Sequence, residues 1–169
     1  EQQRDRWKRG LGLVNGTLGE AVGRIYVERH FPSGSRRQMD ELISNLRGEF
    51  AERLQALERM DDATRHQAVA KLETFEPRIG HPEVWIDYSN YQVNRGDLLG
   101  NMVRAPQFGW NLQLSRLPNP VDRRLWGMNA QTINASYSPL MNQITFPAGI
   151  LQPPFFDPNA DPPVNYGAI

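Results

Sequence analysis

A chain of 169 residues is long enough to bury a real core and suits one domain or pieces of two. Its 19 basic and 19 acidic side chains cancel, so no net field draws it to nucleic acid or an anionic membrane, and without cysteine it has no disulfide framework, thiolate metal site or cysteine nucleophile. Apolar residues make up 39% and charged residues 22%, a globular composition, and no apolar run reaches the roughly 18–20 residues of a bilayer span.

The opening EQQRDRWKRG has no signal-peptide hydrophobic region and reads as helix interior, so any targeting segment is expected to lie outside these residues. A helix is expected from about Arg4, ended by the Asn15-Gly16 break. Thr17 and Glu20 then stand at capping-box spacing and start a second helix over about 18–30. Pro32-Ser33-Gly34 interrupts the pattern, and Ser35 with Gln38 repeats the box at the next start. Met39, Leu42, Ile43, Leu46, Phe50, Leu54 and Leu57 recur at three- and four-residue steps, one face of a helix about 25 residues long. That stripe reads as core or helix-packing surface; a membrane-surface face would not be backed by both charge signs. Asp61 or Asp62 caps a further helix through about Phe75, burying Val69, Leu72 and Phe75.

At Glu76-Pro77 helix formers give way to prolines, glycines and aromatics, and here the chain is expected to divide into segments 1–78 and 79–169. A helix over about 95–117 follows, with Pro106 and Gly109 as points of division, and Pro118-Asn119-Pro120 is a loop. Residues 131–137 alternate as a half-exposed strand does, with Ile133, Ala135 and Tyr137 on one side and Thr132, Asn134 and Ser136 on the other. A second strand over 143–146 and a five-residue connection make a hairpin, in which Asn142 only shapes the turn. The chain leaves the sheet at Pro147, which cannot donate to a ladder. From the residues alone, the apolar segment from Phe146 to Phe156 reads as a hydrophobic tail packed on helices. The fold class is mostly α with a small β-hairpin, α+β.

Four blocks resemble the neprilysin-like family of zinc metallopeptidases in order and spacing. They are Arg6-Trp7 through Asn15-Gly16 with 21–27; Ile79-Gly80-His81-Pro82; Val121-Asp122-Arg123 with Trp126; and Ile133-Asn134-Ala135 through Phe156, with FPAGILQPPFF intact. The resemblance covers nearly the whole chain. It implies a zinc endopeptidase or oligopeptidase whose substrate cavity lies between a helical lid domain and a thermolysin-like catalytic domain. Residues 1–78 would belong to the lid, and 79–169 would begin the catalytic domain, whose remainder would cover the segment from Phe146 to Phe156 and so leave it exposed in this chain. Peptide substrates, zinc in the complete enzyme and a periplasmic or secreted setting are implied with it. In the family a connector ending Asn-Tyr-Gly-Gly-Ile-Gly leads to a helix bearing HExxH. This chain has Asn165-Tyr166-Gly167-Ala168-Ile169 there, so a fragment stopping before that motif is expected.

The family's substrate-binding Asn-Ala pair falls on Asn134 and Ala135. An Asn side chain offers both a donor and an acceptor to a peptide backbone, and an open strand edge adds main-chain bonds indifferent to sequence. Ser136 departs from the aromatic usual in the family, which leaves the neighbouring subsite open in shape. Peptide hydrolysis also needs a Lewis acid, a metal-bound water and a general base, which a zincin draws from two His four apart on a helix with Glu between. His30, His66 and His81 are far apart and none is followed by Glu, so no metal ligand and no catalytic residue is assigned. Alone, the chain is expected to hold no zinc and cleave no peptide. The alternative is a non-catalytic module, a degenerate homologue that binds peptides or a helical interaction domain.

Overall fold

A computed structural model describes residues 3–169. Among the described residues, five helices, α1 (Arg6–His30), α2 (Ser33–Ala56), α3 (Asp62–Glu73), α4 (Leu98–Arg116) and α5 (Pro162–Ala168), accompany one small sheet of β1 (Glu76–Gly80), β2 (Ser136–Ser138) and β3 (Gln143–Pro147). The architecture is α+β and mostly helical.

The helix starts differ from expectation for one physical reason. A capping box needs its Ser or Thr outside the helix, and at both expected places the backbone is already helical. α1 runs through Asn15-Gly16 and is interrupted only at Leu18, where φ is −123° and ψ is 28°. Thr17 Oγ1 donates back to Leu13 O at 2.9 Å, the habit of a hydroxyl inside a helix, while the Glu20 carboxylate accepts from Ile86 N. α2 begins two residues before Ser35, which is therefore buried in its first turn, and Gln38 Nε2 donates to Pro158 O at 3.2 Å. Asp61 does cap α3, accepting from Thr64 N at 2.7 Å. α4 starts at Leu98 and passes Pro106 and Gly109 undivided.

Strand β1 and the short α5 are the elements that local pattern missed, and β1 matters more. It spans the composition change at Glu76-Pro77 and pairs in parallel with β3, Glu76 opposite Gln143 and Gly80 opposite Pro147. A parallel partner comes from far along the chain and leaves no hairpin signal. Pro77 is tolerated because β1 is an edge strand in the order β1-β3-β2. β2 is shorter than the expected strand and pairs antiparallel with β3, Tyr137 opposite Ile144. Residues 131–135 belong to no ladder. Pro147 closes β3 instead of leaving it, and Ala148 N takes up the next bond, to Gly80 O at 2.7 Å.

The core joins Phe31, Met39, Leu42 and Ile43 to Ile79, Phe146, Ala148, Leu151 and Phe156. The apolar segment from Phe146 is thus covered by this chain's own α2 and β1, as the residues alone suggest and contrary to what the resemblance implies, and of its large side chains only Phe155 is exposed. Along α2, Met39, Leu42, Ile43 and Leu54 are buried, whereas Leu46 and Phe50 line an open apolar groove of about 630 Å³ with Leu72, Phe75 and Ile144. Val69, Leu72 and Phe75 are only partly buried. α4 exposes Leu99, Val103 and Trp110, each by more than half. No helix among the described residues is long and apolar enough to cross a membrane.

Candidate functional site

Asn134 and Ala135 lie in the unpaired run that leads into β2. Since 131–135 makes no ladder bonds, its position is set from the residues before it. Thr132 N donates to Asn129 O at 3.0 Å, and Gly149 N donates to Ala130 O at 2.8 Å. Gln131 Nε2 donates to both Asn15 Oδ1 and Gly19 O at 3.0 Å, and Asn129 Nδ2 donates to Asn15 O at 3.3 Å. Ala130 is fully buried beneath α1. This contact exists because residues 19 and 23 are glycine. A β-carbon at Gly19 would overlap the Asn129 carboxamide, and one at Gly23 would stand 2.8 Å from Gln131 Oε1.

Asn134 itself is exposed, and its Oδ1 accepts from Ala135 N at 2.8 Å. Its Nδ2 makes no hydrogen bond among the described residues, so two N–H donors face outward. Ala135 is partly buried against the core, and β2 beyond it has no partner on its outer edge among the described residues. The alternation of faces expected through this run is lost before β2, because Ile133 is as exposed as Asn134 when no ladder holds it flat. Asn142 does more than shape the turn. At φ 51° it sits in the left-handed region that Asn tolerates, and its Nδ2 donates to Lys71 O at 2.7 Å and Thr74 Oγ1 at 3.0 Å, while its Oδ1 accepts from Tyr137 OH at 3.0 Å. It anchors the hairpin to α3.

Two polar ties that sequence reasoning missed hold the segments around the sheet. Glu76 accepts from Gln143 Nε2 at 2.7 Å and pairs with Arg78 at 2.8 Å and Arg123 at 3.5 Å. Burial pushes the Glu76 carboxyl up, but the Gln143 amide and the two guanidinium groups outweigh it and hold the group below its ordinary range. The block around Arg123 is thereby pinned to β1. The second tie is Glu20 to Ile86 N. Burial raises the Glu20 carboxyl above its ordinary value, opposed by the Ile86 amide and the charge of Arg116. A carboxyl raised in the folded chain holds its proton more tightly there than when unfolded. Its contribution therefore favours folding below the unfolded pKa and is lost as pH rises through the folded one. Glu20→Gln keeps an acceptor for Ile86 N without the charge. Thermal unfolding should show this variant at least as stable as the parent near neutral pH, with the difference closing in acid; a variant less stable at neutrality would mean that the charge, through Arg116, holds the contact.

The three histidines are not brought together. His30 ends α1 and His66 is exposed on α3. His81 stacks on Trp85 with ring centroids 5.6 Å apart, its Nδ1 2.9 Å from Pro82 O. No group of three His, Cys, Asp or Glu among the described residues is placed to hold a metal ion.

The models of peptidase family M13 match residues 1–82 and 134–169, together more than half of the chain. Human membrane metallo-endopeptidase-like 1 is 36% identical over 173 residues, covering 97% of this chain and 22% of that protein. Human neprilysin is 36% identical over 171 residues, covering 96% of this chain and 23% of that protein. Among solved structures, the Mycobacterium tuberculosis zinc metalloprotease ZMP1 in complex with an inhibitor superposes with a TM-score of 0.91 at 47% identity, over 99% of this chain and 25% of that one. PepO from Lactobacillus rhamnosis HN001 gives 0.89 at 28% identity, over 95% of this chain and 26% of that one. The chain spans about a quarter of the length of these relatives. With that extent of shared sequence and superposed backbone, the chain belongs to peptidase family M13, the neprilysin-like zinc metallopeptidases.

Proposed function

We propose that this chain is part of a zinc-dependent endopeptidase or oligopeptidase that hydrolyses peptides, and that Asn134 and Ala135 bind the substrate backbone. The observation that carries this is the Asn134 carboxamide, exposed where the chain enters an edge strand, with its oxygen taken by Ala135 N and both N–H donors free. The donors suit a substrate carbonyl, and the open edge of β2 suits main-chain pairing with an extended peptide. Residues 1–78 form the lid segment and 79–169 begin the thermolysin-like catalytic domain, with β1 stitching the two through β3. Zinc would serve the complete enzyme as its Lewis acid, and this chain by itself is proposed neither to hold zinc nor to cleave peptides. A periplasmic or secreted setting goes with the family's substrates.

The test is Asn134→Ala in the full-length protein, assayed on one fluorogenic peptide. Leaving a substrate backbone group unpaired costs about 1–3 kcal/mol, so kcat/KM should fall roughly five- to 150-fold with fold and zinc content unchanged. Leu140→Ala, at a hairpin position 95% exposed, is the control and should change kcat/KM less than about twofold. Equal and negligible effects would remove Asn134 from the substrate.

A further inference from the structure

We infer that Gln131 is a positioning residue, which sets the place of the substrate-binding pair by tying the chain before it to the break in α1. The inference rests on the role proposed for Asn134. The ladder of β2 begins only at Ser136, so nothing in the sheet orients Asn134 and Ala135. The last residue upstream tied to α1 is Gln131, three residues away, within about 10 Å of chain at strand rise. Its carboxamide nitrogen spends both donors on α1, at Asn15 Oδ1 and Gly19 O, on either side of the non-helical Leu18. Gly19 O can only accept, which fixes the nitrogen on that side.

The other face of Gln131 is held as closely. A β-carbon on Gly149 would stand 2.5 Å from Gln131 O, so the turn after β3 lies directly on this backbone. Gln131 Oε1, pressed against Gly23, is buried with no hydrogen-bond partner among the described residues. An unmet buried acceptor costs stability, so packing alone does not ask for a carboxamide here; a Met of the same length would fill the space. What the carboxamide adds is a fixed register between α1 and the 129–132 segment. Because α1 lies in the half proposed as lid, the same two bonds make the place of Asn134 follow that helix.

The test is a double-mutant cycle in the full-length protein, with Gln131→Met and Asn134→Ala alone and together, read as kcat and KM on a fluorogenic peptide alongside thermal unfolding. Gln131→Met should lower kcat/KM at least about fivefold while the protein stays folded at the assay temperature. In the Asn134→Ala background the same change should cost less than about twofold, because the group being positioned is gone. Asn15→Ala, which removes one of the two bonds, should reproduce part of the loss and keeps the question answerable if Gln131→Met does not fold. Asn134→Ala lowering kcat/KM while Gln131→Met and Asn15→Ala do not would overturn the positioning role and leave the substrate role intact. A Gln131→Met loss of equal size in both backgrounds would show a merely structural residue, and an inert Asn134→Ala would remove both ideas.

Discussion

Phe156→Ala is expected to destabilise the chain by about 3–5 kcal/mol, a large part of the 5–15 kcal/mol that holds a typical domain together. Phe156 is 1% exposed and among the largest fully buried side chains. It joins the core that α2 supplies through Met39, Leu42 and Ile43 and the sheet through Ile79 and Phe146. Those neighbours sit on elements tied elsewhere, so the space left by the ring would collapse only in part, and a cavity cost adds to the lost transfer energy. Its sequence neighbour gives the comparison. Phe155 is 42% exposed, and its truncation should cost less than half as much. Urea or thermal unfolding of both variants decides. Equal losses would mean that the segment does not turn Phe156 inward on α2 and that its cover lies outside this chain.

That comparison also marks how far the residues alone could be read. Period located α1 to α4 but not the 7-residue α5, because an apolar stripe of period 3.6 is a local property that needs length, and Asp61 was legible as a cap because its bond to Thr64 N is local too. The apolar run from Phe146 to Phe156 was legible as apolar, but nothing within it says which surface covers it. That depends on α2, more than a hundred residues earlier. The same reason hid β1, whose partner is distant and whose Pro77 reads as a breaker, and hid the tie of Glu76 to Gln143, Arg78 and Arg123. Thr17 and Glu20 fit a local rule and still do not pair, since Thr17 already lies inside α1 and donates to Leu13 O while the Glu20 carboxylate is drawn to Ile86 N across the fold.

The candidate site divides in the same way. Asn134 was reached through family resemblance, and its geometry adds an exposed carboxamide with free donors. Gln131 carried no signal of its own; a lone Gln at the start of an alternating run reads as surface. The detectable trace was indirect, in Gly19 and Gly23 spaced one helical turn apart, which mark where another segment comes close to a helix. Asn142 was read from its place in a turn, and the left-handed backbone agrees, but its two donors to α3 could not be seen before the fold was in place.

Gly149→Val should cost about 3 kcal/mol, the upper end of what overpacking usually costs. The β-carbon alone would lie 2.5 Å from Gln131 O, 2.6 Å from Gln131 C and 2.7 Å from Thr132 O. All three are backbone atoms, which cannot swing aside as a side-chain tip can. The 131–132 run and the turn would have to part, and the bond from Gly149 N to Ala130 O would go with them. Gly48→Ala is the contrasting change. That glycine is inside α2 with nothing within 4 Å of an added β-carbon, so the substitution should stabilise by about 0.5–1 kcal/mol through lower backbone entropy in the unfolded chain. Denaturant unfolding of the two variants should therefore move the midpoint in opposite directions. In the full-length protein Gly149→Val should also lower kcat/KM, since the backbone it displaces lies three residues before Asn134. A neutral Gly149→Val would show that the turn does not press on residues 131–132, and the clamp that places Asn134 would lose one of its two jaws.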